Sequence, residues 1–141
     1  MSSNKIIIVA TIVLTIALLI GGCGSMSSTA AEQDPSIELR PQMALNVGEE
    51  VYACNCGAAC RCDTLSKNPG KCTCGKDMVK ARVLSVGKGE ARLLVSGEKR
   101  TFKTVGKYAC ACGLKCPCNT ISQNAGKCTC GMEMQLVRQT N

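Results

Sequence analysis

The sequence predicts small Cys-rich modules with little regular structure, short antiparallel β-strands forming a three-stranded meander, and an apolar N-terminal signal helix. Three observations carry this. A 27-residue unit, Tyr52 to Met78 (YACNCGAACRCDTLSKNPGKCTCGKDM), recurs without a gap as Tyr108 to Met134 (YACACGLKCPCNTISQNAGKCTCGMEM), with 17 of 27 positions identical and all six cysteines in register. Between the copies Val79, Ala81 and Val83 alternate with Lys80 and Arg82, Ala91, Leu93 and Val95 follow, and a third run surrounds Phe102. Period-two alternation punctuated by Gly87-Lys88-Gly89 and Ser96-Gly97 is the pattern of antiparallel strands. At the amino end, Ile6 to Ile20 is an apolar run of 15 residues, the length of a signal-peptide core and short for a membrane span.

The chain divides in order. Residues 1–22 read as a signal peptide: Lys5 gives a thin positive start, and the run closes on Ile20-Gly21-Gly22-Cys23. Small residues directly before a cysteine resemble the lipobox of bacterial lipoproteins, where signal peptidase II cuts before the cysteine. That resemblance implies Cys23 as the lipid-bearing first residue of the mature chain and a bacterial cell-envelope location held by the lipid bilayer. Gly24 in place of Asp is similar to lipoproteins sorted onward, which implies the outer membrane facing the periplasm in a Gram-negative host. Residues 23–42 then read as a lipidated tether, small, polar and broken by Pro35 and Pro41, a composition that stays flexible.

Residues 43–78 form the first Cys-rich repeat with its lead-in, residues 79–107 a basic β-meander, and residues 108–141 the second repeat. Val-Gly precedes the tyrosine of each copy, so the duplication is expected to include an entering strand. The meander holds eight basic and two acidic residues. Alternating Lys and Arg are what exposed strand faces carry, and attraction to an anionic envelope surface is the sharper reading of the same charge. Nucleic acid is excluded as a partner, because stacking platforms are missing: the chain has one Phe, two Tyr and no Trp.

A 27-residue unit so poor in large apolar side chains needs disulfides or metal to fold, which makes cysteine the expected core. Absence of His from the sequence removes Cys-His zinc fingers and Cys-His or Ser-His catalytic pairs. No other residue suits a general acid, base or activated nucleophile, so no enzyme activity and no catalytic residues are expected. Each unit spaces its cysteines C-x-C-x3-C-x-C-x9-C-x-C. A disulfide inside C-x-C is strained, whereas two such thiolates can face one soft ion. The candidate metal ligands are Cys54, Cys56, Cys60, Cys62, Cys72 and Cys74, with Cys110, Cys112, Cys116, Cys118, Cys128 and Cys130. They would make metal-stabilised modules binding zinc or copper(I). Six thiolates could hold one four-coordinate ion with two sulfurs spare, or two ions with shared sulfurs. A Zn₂Cys₆ site would carry −2, offset by Arg61, Lys67, Lys71 and Lys76 against Asp63 and Asp77, and by Lys115 and Lys127 against Glu133. A disulfide-braced adaptor without metal remains open, since secreted cysteines commonly pair; a thiol-disulfide carrier is disfavoured by the lack of C-x-x-C.

Tyr52 and Tyr108 are expected to cover the cysteines, Met78 and Met134 to act as flexible filler, and Met132 adds a thioether in the second copy. Thr64, Ser66 and Asn68, repeated as Thr120, Ser122 and Asn124, are expected to make local turn bonds. Tyr-x-Cys followed by Gly-Lys-Cys-x-Cys-Gly and a nearby Met resembles short bacterial heavy-metal-binding domains over both units. The dense C-x-C pairs are similar to metallothionein. Both resemblances imply metal binding, and neither implies catalysis.

Overall fold

The computed structural model describes residues 39–57, 59–113 and 116–138. The signal peptide, Cys23 and the tether up to residue 38 lie outside the described residues. Eight strands follow in chain order: β1 (Glu50–Cys54), β2 (Leu65–Ser66), β3 (Met78–Val86), β4 (Glu90–Val95), β5 (Glu98–Lys103), β6 (Tyr108–Cys110), β7 (Ile121–Ser122) and β8 (Met134–Leu136). They form one sheet in the order β5-β4-β3-β1-β2-β7-β6-β8, antiparallel at every pairing. The described residues contain no helix.

The expected meander is β3-β4-β5. Ala81, Val83, Ala91, Leu93, Val95 and Phe102 are buried, while Lys80, Arg82, Arg92, Lys99 and Lys103 are exposed. Register explains the split: Ala81 faces Val95, Val83 faces Leu93 and Ala91 faces Phe102, so apolar residues share one face and bases the other. Ser96 and Gly97 turn β4 into β5 with φ of +50° and +87°, two successive positive φ values that match the right-handed twist of a hairpin.

The repeats carry more regular structure than their composition suggests. The first supplies β1, β2 and the start of β3; the second supplies β6, β7 and β8. Tyr52 pairs with Ser66 and Lys80, and Tyr108 pairs with Ser122 and Leu136. These are equivalent contacts, and they place β2 and β7 side by side at the centre of a palindrome. Leu65 pairs there with Ile121, its own equivalent. The repeats are therefore related by an internal two-fold axis, an isologous interface within one chain. Lys67 N–H donates to the Cys118 carbonyl at 2.9 Å, and Gln123 N–H to the Cys62 carbonyl at 2.8 Å.

Met43, Leu45, Val51, Ala53, Leu65, Val83, Leu93, Val95, Phe102 and Ile121 lie in one buried cluster with Cys54, Cys62, Cys72 and Met78. Cys118, Cys128 and Met134 form a second. Pro41 and Gln42, read from composition as the end of the tether, are held to the sheet. Gln42 bridges to Val105, Met43 N–H donates to the Thr104 carbonyl, and Gly106 N–H donates to the Pro41 carbonyl.

Candidate metal centres

Two loops per repeat bring the six sulfurs together. After β1 the chain turns through Gly57, whose φ is +90°, and Cys60 N–H closes the turn on the Gly57 carbonyl at 3.1 Å. Asp63 then takes φ +41°, matched by Asn119 at +39°. Asp and Asn tolerate this left-handed conformation better than other side chains, and it lets β2 return beside β1 while Cys62 points inward. The last pair lies in a second turn, where Cys72 N–H donates to the Lys76 carbonyl and Gly75 N–H to the Cys72 carbonyl. Met78 N–H then ties back to the Gly70 carbonyl at 2.8 Å. The second repeat reproduces each bond with Gly113, Cys128, Met132, Gly131, Met134 and Gly126.

In repeat one, Cys54 and Cys62 Sγ are 3.1 Å apart, Cys60 and Cys62 3.3 Å, Cys60 and Cys74 3.2 Å, and Cys56 and Cys72 3.3 Å. In repeat two, Cys110 and Cys118 are 3.2 Å apart, Cys116 and Cys118 3.0 Å, Cys112 and Cys130 2.8 Å, and Cys128 and Cys130 2.7 Å. A disulfide needs about 2.05 Å, and all twelve cysteines are free thiols. Sulfurs about 2.3 Å from a shared Zn²⁺ would lie about 3.8 Å from one another in a tetrahedron, so small outward shifts would admit an ion.

Repeat one contains two overlapping quartets: Cys54, Cys56, Cys60 and Cys62, then Cys56, Cys62, Cys72 and Cys74. Sγ atoms within each quartet lie within 4.8 Å of one another, and Cys56 and Cys62 belong to both. Repeat two gathers Cys110, Cys112, Cys116, Cys118 and Cys130 into one such group, with Cys128 3.8 Å from Cys110. All twelve candidate ligands thus reach one cluster or the other, and the described clusters could bind metal.

The thiols do not share one proton affinity. The hydrogen bond between Cys54 and Cys62 pushes Cys54 far up, helped by burial. The same bond pulls Cys62 well down against the opposing effect of burial, with Thr64 adding a further donor. Burial pushes Cys56 up to about 11. In the second repeat burial raises Cys110, Cys112 and Cys128. Burial also opposes ionisation of Cys118 and Cys130, but hydrogen bonds from neighbouring thiols win and lower both. Each cluster therefore holds thiolate character beside thiols that an ion would have to deprotonate.

Two arginines from outside the units hold the loops of the clusters. Arg100 of β5 stacks on Phe102, 4.9 Å from its centroid, and donates to the Cys54 carbonyl at 2.9 Å and the Gly57 carbonyl at 3.4 Å. Arg40 plays the matching part in repeat two, donating to the Cys116 carbonyl at 3.0 Å and the Gly113 carbonyl at 3.5 Å. Neither arginine stands in the repeated motif, and only its placement reveals it. Of the lysines expected to compensate, Lys67 pairs with Glu49 and Lys71 with Asp77; Lys115 lies outside the described residues.

Tyr52 packs against the first cluster and Tyr108 against the second. Met78 and Met134 are buried opposite Cys54 and Cys110 in register, whereas Met132 is 58% exposed. Local turn bonds were too narrow an expectation for the Ser and Thr residues. Asn68 and Asn124 N–H do donate to Ser66 and Ser122 at 3.2 Å. The hydroxyls themselves bond mainly across the dyad. Ser66 donates to the Cys118 carbonyl and Ser122 to the Cys62 carbonyl, both at 2.9 Å. Thr64 lies 3.0 Å from Ser122, Thr120 3.0 Å from Ser66, Thr73 3.1 Å from Ser122 and Thr129 3.0 Å from Ser66. A fully satisfied buried network thus joins the backbone of the two clusters.

No protein-family model, curated protein or solved structure matches the chain, so the likeness to heavy-metal-binding domains and metallothionein rests on the quoted motifs alone.

Proposed function

We propose that this chain is a membrane-anchored, extracytoplasmic metal-binding protein that buffers or hands over a thiophilic ion such as zinc or copper(I). The observation that carries the reading is the pair of overlapping sulfur quartets in repeat one. Two four-coordinate ions sharing two thiolates use six sulfurs with none spare, which is the composition of the repeat. In this reading Cys56 and Cys62 bridge, and Cys54, Cys60, Cys72 and Cys74 are terminal ligands. All donors are soft sulfur, which suits zinc and copper(I) over magnesium or calcium. Lipid attachment at Cys23 gives the envelope address, and the exposed bases of the meander face anionic head groups there. The reading includes no catalytic turnover.

Native mass spectrometry with elemental analysis on anaerobically purified protein tests it. Metal-loaded species that release metal and twelve free thiols on acidification are expected. A metal-free mass twelve daltons below the reduced chain would instead mean six disulfides and a braced adaptor.

A further inference from the structure

A cavity adjoins the first cluster and has different chemistry from it. About 400 Å³ in volume, it is lined by Cys60, Arg61, Asp63, Lys103, Lys107, Gln123 and Asn124. Three cations, Arg61, Lys103 and Lys107, and one carboxylate, Asp63, line it. Gln123 is anchored, its Nε2 donating to the Val105 carbonyl at 2.7 Å. The volume lies in the range of small-ligand sites, and the positive excess calls for a ligand with two negative charges. Cys60, a member of the first sulfur quartet, forms part of the wall. Repeat two carries neither charge at the equivalent positions, where Pro117 and Asn119 stand in place of Arg61 and Asp63.

We propose that this cavity binds a small dicarboxylate thiol, and that such a ligand exchanges metal with repeat one through Cys60. The carboxylates sit among Arg61, Lys103 and Lys107, and the thiol faces Cys60. The exchange step rests on the metal reading; the anion site does not. In that step the incoming sulfur forms a bond to the cargo ion as the Cys60 sulfur–metal bond breaks. The proton lost by the incoming thiol ends on Cys60, and no electrons are transferred.

Two measurements on the full chain in detergent test this. Calorimetric titration of the anaerobically purified protein, kept in the metal state in which it is isolated, with succinate should show one saturable site. Arg61→Ala and Lys107→Ala should each weaken it at least tenfold, while Lys88→Ala, in the turn after β3, leaves it unchanged. On zinc-loaded protein, mercaptosuccinate should withdraw repeat-one zinc at least tenfold faster than mercaptoethanol at equal thiolate concentration. Arg61→Ala should abolish that advantage, and repeat two should show none. Absence of saturable succinate binding, or binding indifferent to Arg61 and Lys107, overturns the site. Succinate binding without a rate advantage overturns the exchange role. A chain that takes up no zinc refutes the metal reading, and the succinate titration still decides the cavity.

Discussion

Cys62 illustrates how a single residue gains its role from neighbours. It is fully buried, lies 3.1 Å from Cys54 and belongs to both quartets of repeat one. Replacing a bridging sulfur disturbs two ions, whereas replacing a terminal one disturbs one. Cys62→Ser should therefore remove tight binding of both ions of repeat one, and Cys74→Ser of only one, read as the ion count in native mass spectrometry. Arg100 acts at one remove, holding the Cys54 and Gly57 carbonyls. Residues that orient ligands in this way commonly affect affinity by about 10- to 100-fold. Arg100→Ala should weaken repeat one by about that much in chelator competition while leaving repeat two unchanged. Every cysteine of this site was legible in sequence, because chemistry restricts soft-metal ligands to few residue types. Arg100 and Arg40 were not, because an arginine donating to backbone carbonyls leaves no mark in spacing.

At the level of elements, the turns and the dyad decide stability. A Cβ added at Gly70 would lie 2.8 Å from Thr129 Cβ, and one at Gly126 3.0 Å from Thr73 Cβ. Each loop thus packs glycine against the other repeat's threonine. Gly70→Ala should cost about 1–3 kcal/mol through overpacking, measured by denaturant unfolding of the metal-loaded protein. The lead-in to β1 is fastened differently, by Lys67 to Glu49 and to the Ala44 carbonyl. The Lys67 hydrogen bond holds the Glu49 carboxyl below its usual value of 4.5. A depressed carboxylate stabilises the fold above its unfolded pKa, and that contribution is lost as pH falls through the folded value. Glu49→Gln should accordingly lose less thermal stability than the parent chain on acidification from about pH 6 to about pH 3. Metal release affects both proteins alike, so the difference reports the pair.

For the whole molecule, the consequence of the dyad is that neither cluster stands alone. Ile121 belongs to the core cluster of repeat one, pairs with Leu65 and is fully buried. Ile121→Ala should cost about 2–5 kcal/mol and lower the unfolding temperature of both repeats together in one calorimetric transition. Two separate transitions would show that the repeats are independent. The outer face of the meander presents Arg82, Arg92, Lys99 and Lys103 around the partly exposed Leu94. Anionic vesicles should bind the chain more tightly than neutral ones, with the difference removed at high salt.

The duplication, the candidate sulfur ligands and the meander were all determined by the sequence itself. Each is a local property: identity at a fixed offset, a side chain's softness, or alternation along one strand. Asp63 and Asn119, equivalent Asx residues following a C-x-C pair, carried a weak signal for the left-handed turn that closes each cluster. Tertiary structure alone decided that Thr64, Ser66, Thr120 and Ser122 bind across repeats as well as locally. It also decided that Cys56 and Cys62 belong to both sulfur quartets and that Arg61 meets Lys103 and Lys107 at one cavity. Those facts depend on which strand lies beside which. Spacing cannot encode that, because the pairing of β2 with β7 joins residues 56 positions apart through buried surface and hydroxyl bonds that exist only once the sheet has formed.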